Sequence, residues 1–352
     1  MPAPRITLVD VARLAGVHTA TASRALNPAT RGQVSESTAT RVAEAAKALN
    51  YQPNRMARGL RTNRTFTVGV LIPDITNPLF PPIVRGIEDS LAPAGYTALL
   101  ANSDNDPETE RLHVETMLAR QVDGLIMATA RRSDPLVEHV AASGVPVVLV
   151  NRRSEDDRIP SVVPDDGKGI RLAVRHLVSL GHARIAHVAG PLHVSTGMAR
   201  HRAFLEAMRE EALEPDEELI AFARWFTVEE GARAFRALLP TNGRFTAVVT
   251  ANDLIAIGCY DVMAEQGLRC PEDLSITGYN DIPLLDKLRP SLTTVRLEHY
   301  ELGATAANLL LEPAADASTS ARTILVEPTL VVRGSTMSLA RAAEAPTRSS
   351  RR

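Results

Sequence analysis

The sequence predicts an N-terminal all-α helix-turn-helix domain followed by an α/β body of doubly wound parallel sheets. Three observations carry that prediction. From Thr65 onward, β-branched runs alternate with amphipathic stretches; two short helical patterns joined by a glycine fill Thr7–Leu26; and charge is divided unevenly between head and body.

In the head, Thr7 can cap a helix whose first turn holds Asp10, a residue suited to the positive helix end. Val11, Leu14 and Ala15 follow at helical spacing, and Gly16 ends the run. Val17 fills the turn, and a second helix over about Thr19–Leu26 turns Ala22 and Ala25 inward. Two helices around a tight glycine turn form a helix-turn-helix. A third helix is predicted from Ser35 through Val42, Ala45, Ala46 and Leu49, closing a small core that requires dense packing. Residues 1–64 hold ten Arg and Lys against three acids, a charge of +7, while the remainder carries −9. A basic head on an acidic body fits a phosphate-binding module joined to an independent domain.

In the body, the runs TVGVLI, TALLA, GLIMA, VVLV, RIAHVA, AVVT and LSIT are each followed by a helical segment. There are too many units for one small sheet, so two lobes are predicted. Ligands in such folds sit at the carboxyl ends of strands. Those ends carry Asp74 to Phe80, Asn151-Arg152, Asp165-Asp166, Asn252-Asp253 and Asn280-Asp281, polar groups that with a few aromatics describe a small polar ligand site.

The totals narrow the function classes. Two cysteines, Cys259 and Cys270, are too few for a disulfide framework and point to a reducing cytoplasm. Met1–Thr7 lacks an apolar signal core, and no run approaches a membrane span, so neither export nor membrane insertion is expected. No G-x-G-x-x-G, P-loop, G-x-S-x-G or H-E-x-x-H stands in the chain, which argues against an enzyme. His176, His182 and His187 have no acidic partners at metal spacing, and neither a metal nor a cofactor is expected.

The stretches ITLVDVARLAGVHTATASRALN and VAEAAKALNYQPNRMARGL resemble the LacI/GalR family of bacterial repressors, and the likeness extends over the whole chain. The resemblance implies that the second helix enters the DNA major groove, with Thr19, Ala20 and Arg24 at the base-reading positions. An arginine can reach guanine with two hydrogen bonds, and small residues permit close approach. Thr7, Thr21, Ser23 and Asn27 suit phosphates. It also implies that residues 53–64 form a hinge entering the minor groove, with Leu60 wedged into a base step beside Asn54, Ala57 and Arg58. The body then resembles periplasmic sugar-binding proteins, with Asp74, Asn77, Phe80, Asn151, Arg152, Asp165, Arg200, Phe226, Asn252 and Asn280 around the effector. Arg200 is the expected clamp, facing Asp165, Asn252 and Asn280.

Departures from the family pattern are His18 for a capping serine, a longer loop at 28–33, Ala203 for glycine and Asn280 for aspartate. The implied organisation is a DNA-binding domain at 1–52, a hinge at 53–64, an effector domain at 65–340 and a disordered tail at 341–352. Within the body, one lobe takes about 65–162 and 296–326, the other about 163–292 and 328–340. The expected protein is a cytoplasmic homodimer that binds palindromic operator DNA and a sugar-like effector. A regulator co-repressed by a nucleobase-like ligand, or a sugar-binding protein, is the alternative. The helix Tyr300–Leu311 is the expected dimer face through Leu302, Ala306, Leu309 and Leu310. A tail without leucine heptads argues against tetramers.

Overall fold

The computed structural model describes residues 6–27, 30–51, 64–240, 245–312 and 322–340. The chain divides into two units, Met1–Thr65 and Phe66–Arg352.

The first unit holds α1 (Leu8–Ala15), α2 (Thr19–Leu26) and α3 (Glu36–Ala48). One Asp10 carboxylate oxygen accepts both the Thr7 hydroxyl at 2.7 Å and the Thr7 N–H at 3.0 Å, tying down the start of α1. Gly16 ends the helix at φ 63°, a left-handed turn that glycine takes without steric cost. His18 does the capping expected of a serine: its Nδ1 accepts the Ala20 N–H at 3.2 Å. Ser35 stands at the N-cap position of α3, but its hydroxyl bonds to Thr38 Oγ1 rather than to the backbone. Val11, Ala12, Ala15, Ala22, Ala25, Ala39, Val42, Ala45 and Ala46 form the core. Leu14 is not among them; it is 57% exposed, because the inward stripe of α1 is Val11, Ala12 and Ala15. At 100° per residue, Leu14 lies roughly a quarter turn or more away from the centre of that stripe.

The second unit has two six-stranded sheets. The first contains β1 (Thr67–Ile72), β2 (Thr97–Asn102), β3 (Gly124–Met127), β4 (Val147–Val150), β5 (Ser161–Pro164) and β11 (Thr323–Val326). They run parallel throughout in the order β11-β5-β4-β3-β1-β2. The second contains β6 (Ile185–Ala189), β7 (Ile220–Phe222), β8 (Ala247–Thr250), β9 (Ser275–Asn280), β10 (Thr293–Arg296) and β12 (Thr329–Val331). Its order is β12-β10-β9-β8-β6-β7, with only β12 antiparallel to its neighbour. Central strands are buried along their length, as expected where helices cover both faces. In each sheet the strand order reverses beside the first strand, β1 or β6, which opens a crevice at the carboxyl ends.

Helices α4 (Phe80–Leu91), α5 (Pro107–Ala119) and α6 (Pro135–Ala142) belong to the first lobe. The second lobe holds α7 (Asp166–Ser179), α8 (Ser195–Glu210), α9 (Val228–Leu238) and α10 (Asp253–Glu265). The chain passes between lobes at 164–166, 296–299 and 326–329, and the second passage leads into α11 (His299–Leu311), which returns to the first lobe.

The expected dimer face on α11 requires correction. Leu302 and Ala306 are fully buried in the first-lobe core with Ile83 and Ile87, and Leu309 and Leu310 pack against the same cluster. Glycines bring α4 and α11 together so closely that a Cβ on Gly303 would stand 1.9 Å from the Ile83 carbonyl oxygen. The apolar stripe of this helix is therefore used within the chain.

Candidate functional site

On α2, Ala20 and Arg24 are exposed, and Thr19, Thr21, Ser23 and Asn27 are half-buried. Ala22 and Ala25 face the core, so the polar side chains share the outward surface. Thr7 is exposed at the start of α1. Asn54, Ala57, Arg58 and Leu60 lie outside the described residues, as do Pro28 and Ala29 of the longer loop.

In the body, the strand ends meet in a cleft between the lobes. Arg200 on α8 is 3% exposed and lies at its floor. Its Nε donates to Asp166 Oδ1 at 2.8 Å and its Nη1 to the Ala251 carbonyl oxygen at 2.8 Å. The guanidinium carbon stands 3.9 Å from the Tyr279 ring centroid and 5.9 Å from that of Phe226, distances at which a cation is attracted by a ring face. Burial pushes the Asp166 carboxyl up, against the opposing pull of Arg200.

Arg200, Asn77, Phe80, Asn151, Arg152, Phe226, Asn252 and Asn280 line one small cavity of about 20 Å³. A neighbouring one of about 30 Å³ adds Asp74, His193 and Trp225. A third, about 10 Å³, runs into the first lobe past Ser103, Glu110, Thr129 and Arg131. Spaces of this size take one or a few waters, so the lobes stand close together here. Loop contacts span the mouth: Arg132 N–H donates to the His193 carbonyl at 3.1 Å, and Arg153 N–H to Ser195 Oγ at 2.9 Å.

Several of these residues also have a local structural role. Asn252 caps α10 by accepting Ile255 N–H at 2.9 Å, Asn77 accepts Leu79 N–H, and Asp74 accepts Thr76 N–H and its hydroxyl. Asn151 and Asn280 adopt φ of 64° and 116°, and the Oδ1 atom of each is buried without a hydrogen-bond partner. Strained backbone at a strand end is retained where the surroundings over-determine it, which is common at binding sites.

The placement of Asp165 requires correction. Its carboxylate caps α7 by accepting Lys168 N–H at 2.8 Å, and it lines a wider depression of about 580 Å³ that Asn151 and Asp166 line as well. The acid facing Arg200 is Asp166. The inward stripe of α7 is Asp166, Gly169, Ile170, Ala173, Val174 and Leu177, and only Asp166 is in register with it. That helical phase is the signal from which Asp166 could have been found; Tyr279 follows from strand parity in β9. Glu110 and Arg131, paired at 3.3 Å, carried no such mark.

The lacI family of bacterial regulatory proteins matches residues 7–54, and a periplasmic binding protein-like domain matches residues 174–336. The ribose operon repressor of Halalkalibacterium halodurans is 37% identical over 306 residues, 87% of this chain and 89% of that protein. The chain belongs to the LacI family. As a LacI-family protein it is a DNA-binding transcriptional repressor controlled by a small effector such as a sugar, and not an enzyme. The repressor CytR of Escherichia coli K12 is 34% identical over 334 residues, 95% of this chain and 97% of its own length. The lac repressor dimer bound to operator and the anti-inducer ONPF superimposes with a TM-score of 0.82 at 28% identity, covering 95% of this chain and 99% of that one. Among the described residues no helix is long and apolar enough to cross a membrane.

Proposed function

We propose that this LacI-family chain acts as a cytoplasmic homodimer that holds a near-palindromic operator and releases or grips it according to a ligand in the interlobe cleft. Thr19, Ala20 and Arg24 read base edges, while Thr7, Thr21, Ser23 and Asn27 bond phosphates. Asn54, Ala57, Arg58 and Leu60, in a hinge over 53–64, enter the minor groove. That assignment divides the chain into a DNA-binding domain at 1–52, this hinge, and an effector domain at 65–340. Arg200, Arg152, Asn77, Asn151, Asn252 and Asn280 bond the effector between Phe80 and Phe226, with Asp74 at the rim.

The observation that carries this reading is the convergence of buried polar atoms lacking partners, Arg152 Nε, Asn151 Oδ1 and Asn280 Oδ1, on one cleft. Buried polar groups cost free energy unless bonded, and a polar ligand supplies those bonds.

Selection from random duplexes followed by gel-shift titration tests the head. Arg24→Ala should lose about 1–3 kcal/mol of affinity for the selected duplex and little for a scrambled one. Equal losses on both would remove Arg24 from base reading.

A further inference from the structure

Arg152 follows β4 at the centre of the cleft and lines all three small cavities. It is 8% exposed, its Nε has no hydrogen-bond partner, and no ion pair reaches its guanidinium among the described residues. The acids around it bond other groups, although Glu110 keeps its Oε1 without a partner and its charge acts on Arg152. Asp166 pairs with Arg200 at 2.8 Å, Glu110 with Arg131 at 3.3 Å, and Asp281 with Arg296 and Arg333 at 2.7 Å each. Asp253 accepts the Thr294 hydroxyl at 2.5 Å and Ile282 N–H at 3.0 Å. Asp74, half-buried at the rim, turns one oxygen into its own loop. Arg152 is therefore a buried cation that no carboxylate among the described residues bonds directly.

A cation taken out of water is stabilised only by a counter-charge or by a full set of acceptors. Burial lowers the Arg152 pKa to about 10, and burial with the positive field of Arg152 and Arg131 lowers that of His193. Around Arg152 stand Asn77, Asn105, Asn151 and Asn280, amides that both donate and accept, and the aromatic walls Phe80, Phe226 and Trp225. That set suits a hydroxylated skeleton, while the guanidinium fork suits a planar or tetrahedral oxyanion.

We propose that the effector is an anionic carbohydrate, a sugar acid or sugar phosphate, whose carboxylate or phosphate seats on the Arg152 guanidinium. This rests on the cleft being the effector site, as proposed above. Asn151 and Asn280, neutral where carboxylates would repel such a ligand, belong to the same preference.

The full chain has a single tryptophan, Trp225, which lines the cleft beside His193 at 5.5 Å. Binding can therefore be followed by its fluorescence together with thermal melting. The probes are ribose against ribose 5-phosphate, glucose against glucose 6-phosphate, gluconate and glucuronate, and inorganic phosphate alone. At least one charged sugar should bind roughly tenfold or more tightly than its neutral parent, the range of a charge-assisted bond to a buried partner. Arg152→Gln should erase that preference, and Arg152→Lys should keep its direction.

A neutral parent binding as tightly as its charged forms would overturn the proposal. So would a preference surviving in Arg152→Gln, or no response to any charged probe. If Arg152→Gln does not melt cooperatively, the wild-type ranking and Arg152→Lys decide.

Operator titration at saturating probe separates this proposal from the reading beneath it. A neutral sugar that binds and moves operator affinity overturns the anionic ligand and keeps the cleft as the effector site. A charged sugar that binds through Arg152 without moving operator affinity keeps the anion seat and removes control through the cleft.

Discussion

The head and the body keep their functional residues in opposite places. Seven of the nine buried head residues are alanine, and the candidate DNA contacts lie on the surface around this thin core. In the body, Ile, Leu, Val and Phe outnumber alanine in the cores, and most candidate effector contacts are themselves buried. The consequence is a difference in coupling. A surface residue such as Arg24 can change with little effect on packing, whereas a cleft residue such as Arg200 holds other buried groups in place.

The largest expected effect tests that coupling. Arg200→Ala leaves the Asp166 carboxylate buried without its cation, and breaking a buried pair in this way costs about 3–5 kcal/mol. Asp166→Asn combined with Arg200→Met should recover most of that stability while still failing to bind effector. Chemical unfolding read through Trp225 measures both. A cost for Arg200→Ala below about 1 kcal/mol would mean that the cleft tolerates an uncompensated charge, and the contrast with the head would fail.

The same contrast explains what could be read from the residues alone. The helices of the head follow from Thr7, Asp10, Gly16 and the alanine spacing, because local capping and periodicity decide them. Strands such as TVGVLI and VVLV were equally legible, since a continuous apolar run is the mark of a strand buried on both faces. Leu14 was misplaced because one apolar residue at the edge of a stripe has no phase of its own. Leu302 and Ala306 were misassigned because an apolar helix face does not say whether its partner is the same chain or another. In the cleft, which of Asp165 and Asp166 meets Arg200 depends on one residue of helical register, and the unpaired state of Arg152 depends on every acid around it. Both are tertiary facts.

A smaller effect is expected inside the head. Val42→Ala removes two buried methyl groups from a core whose other buried members are Val11 and seven alanines, at a cost of about 2 kcal/mol. Hydrogen exchange of the α1–α3 amides should accelerate and operator affinity should fall at elevated temperature. Effector-dependent Trp225 fluorescence should not change. If Val42→Ala altered the Trp225 response as well, the two units would not be energetically separate.

The response to acid also distinguishes the regions. The head has one histidine, His18, which is exposed, whereas the body buries His187 completely, with its pKa lowered by burial to about 3. Above pH 6.5 this imidazole is neutral in both folded and unfolded chains and contributes no pH dependence. As pH falls from 6.5 toward 3, the unfolded chain takes up a proton that the folded one refuses. Stability then declines by at most about 1.4 kcal/mol per pH unit. Asp253 acts in the opposite sense, because burial raises its pKa to about 7. Between pH 3.8 and 7 the unfolded carboxyl ionises while the folded one keeps its proton, so stability declines as pH rises. Over the shared range the two oppose each other, while His299, its pKa lowered by burial to about 4, acts in the same sense as His187. Relative to wild type, His187→Gln should gain stability as pH is lowered from 6.5 to 4, and Asp253→Asn should gain as pH is raised from 4 to 7. Unfolding free energies measured at half-unit intervals test both slopes, and variant curves parallel to wild type would show that neither buried group titrates in the body as its surroundings require.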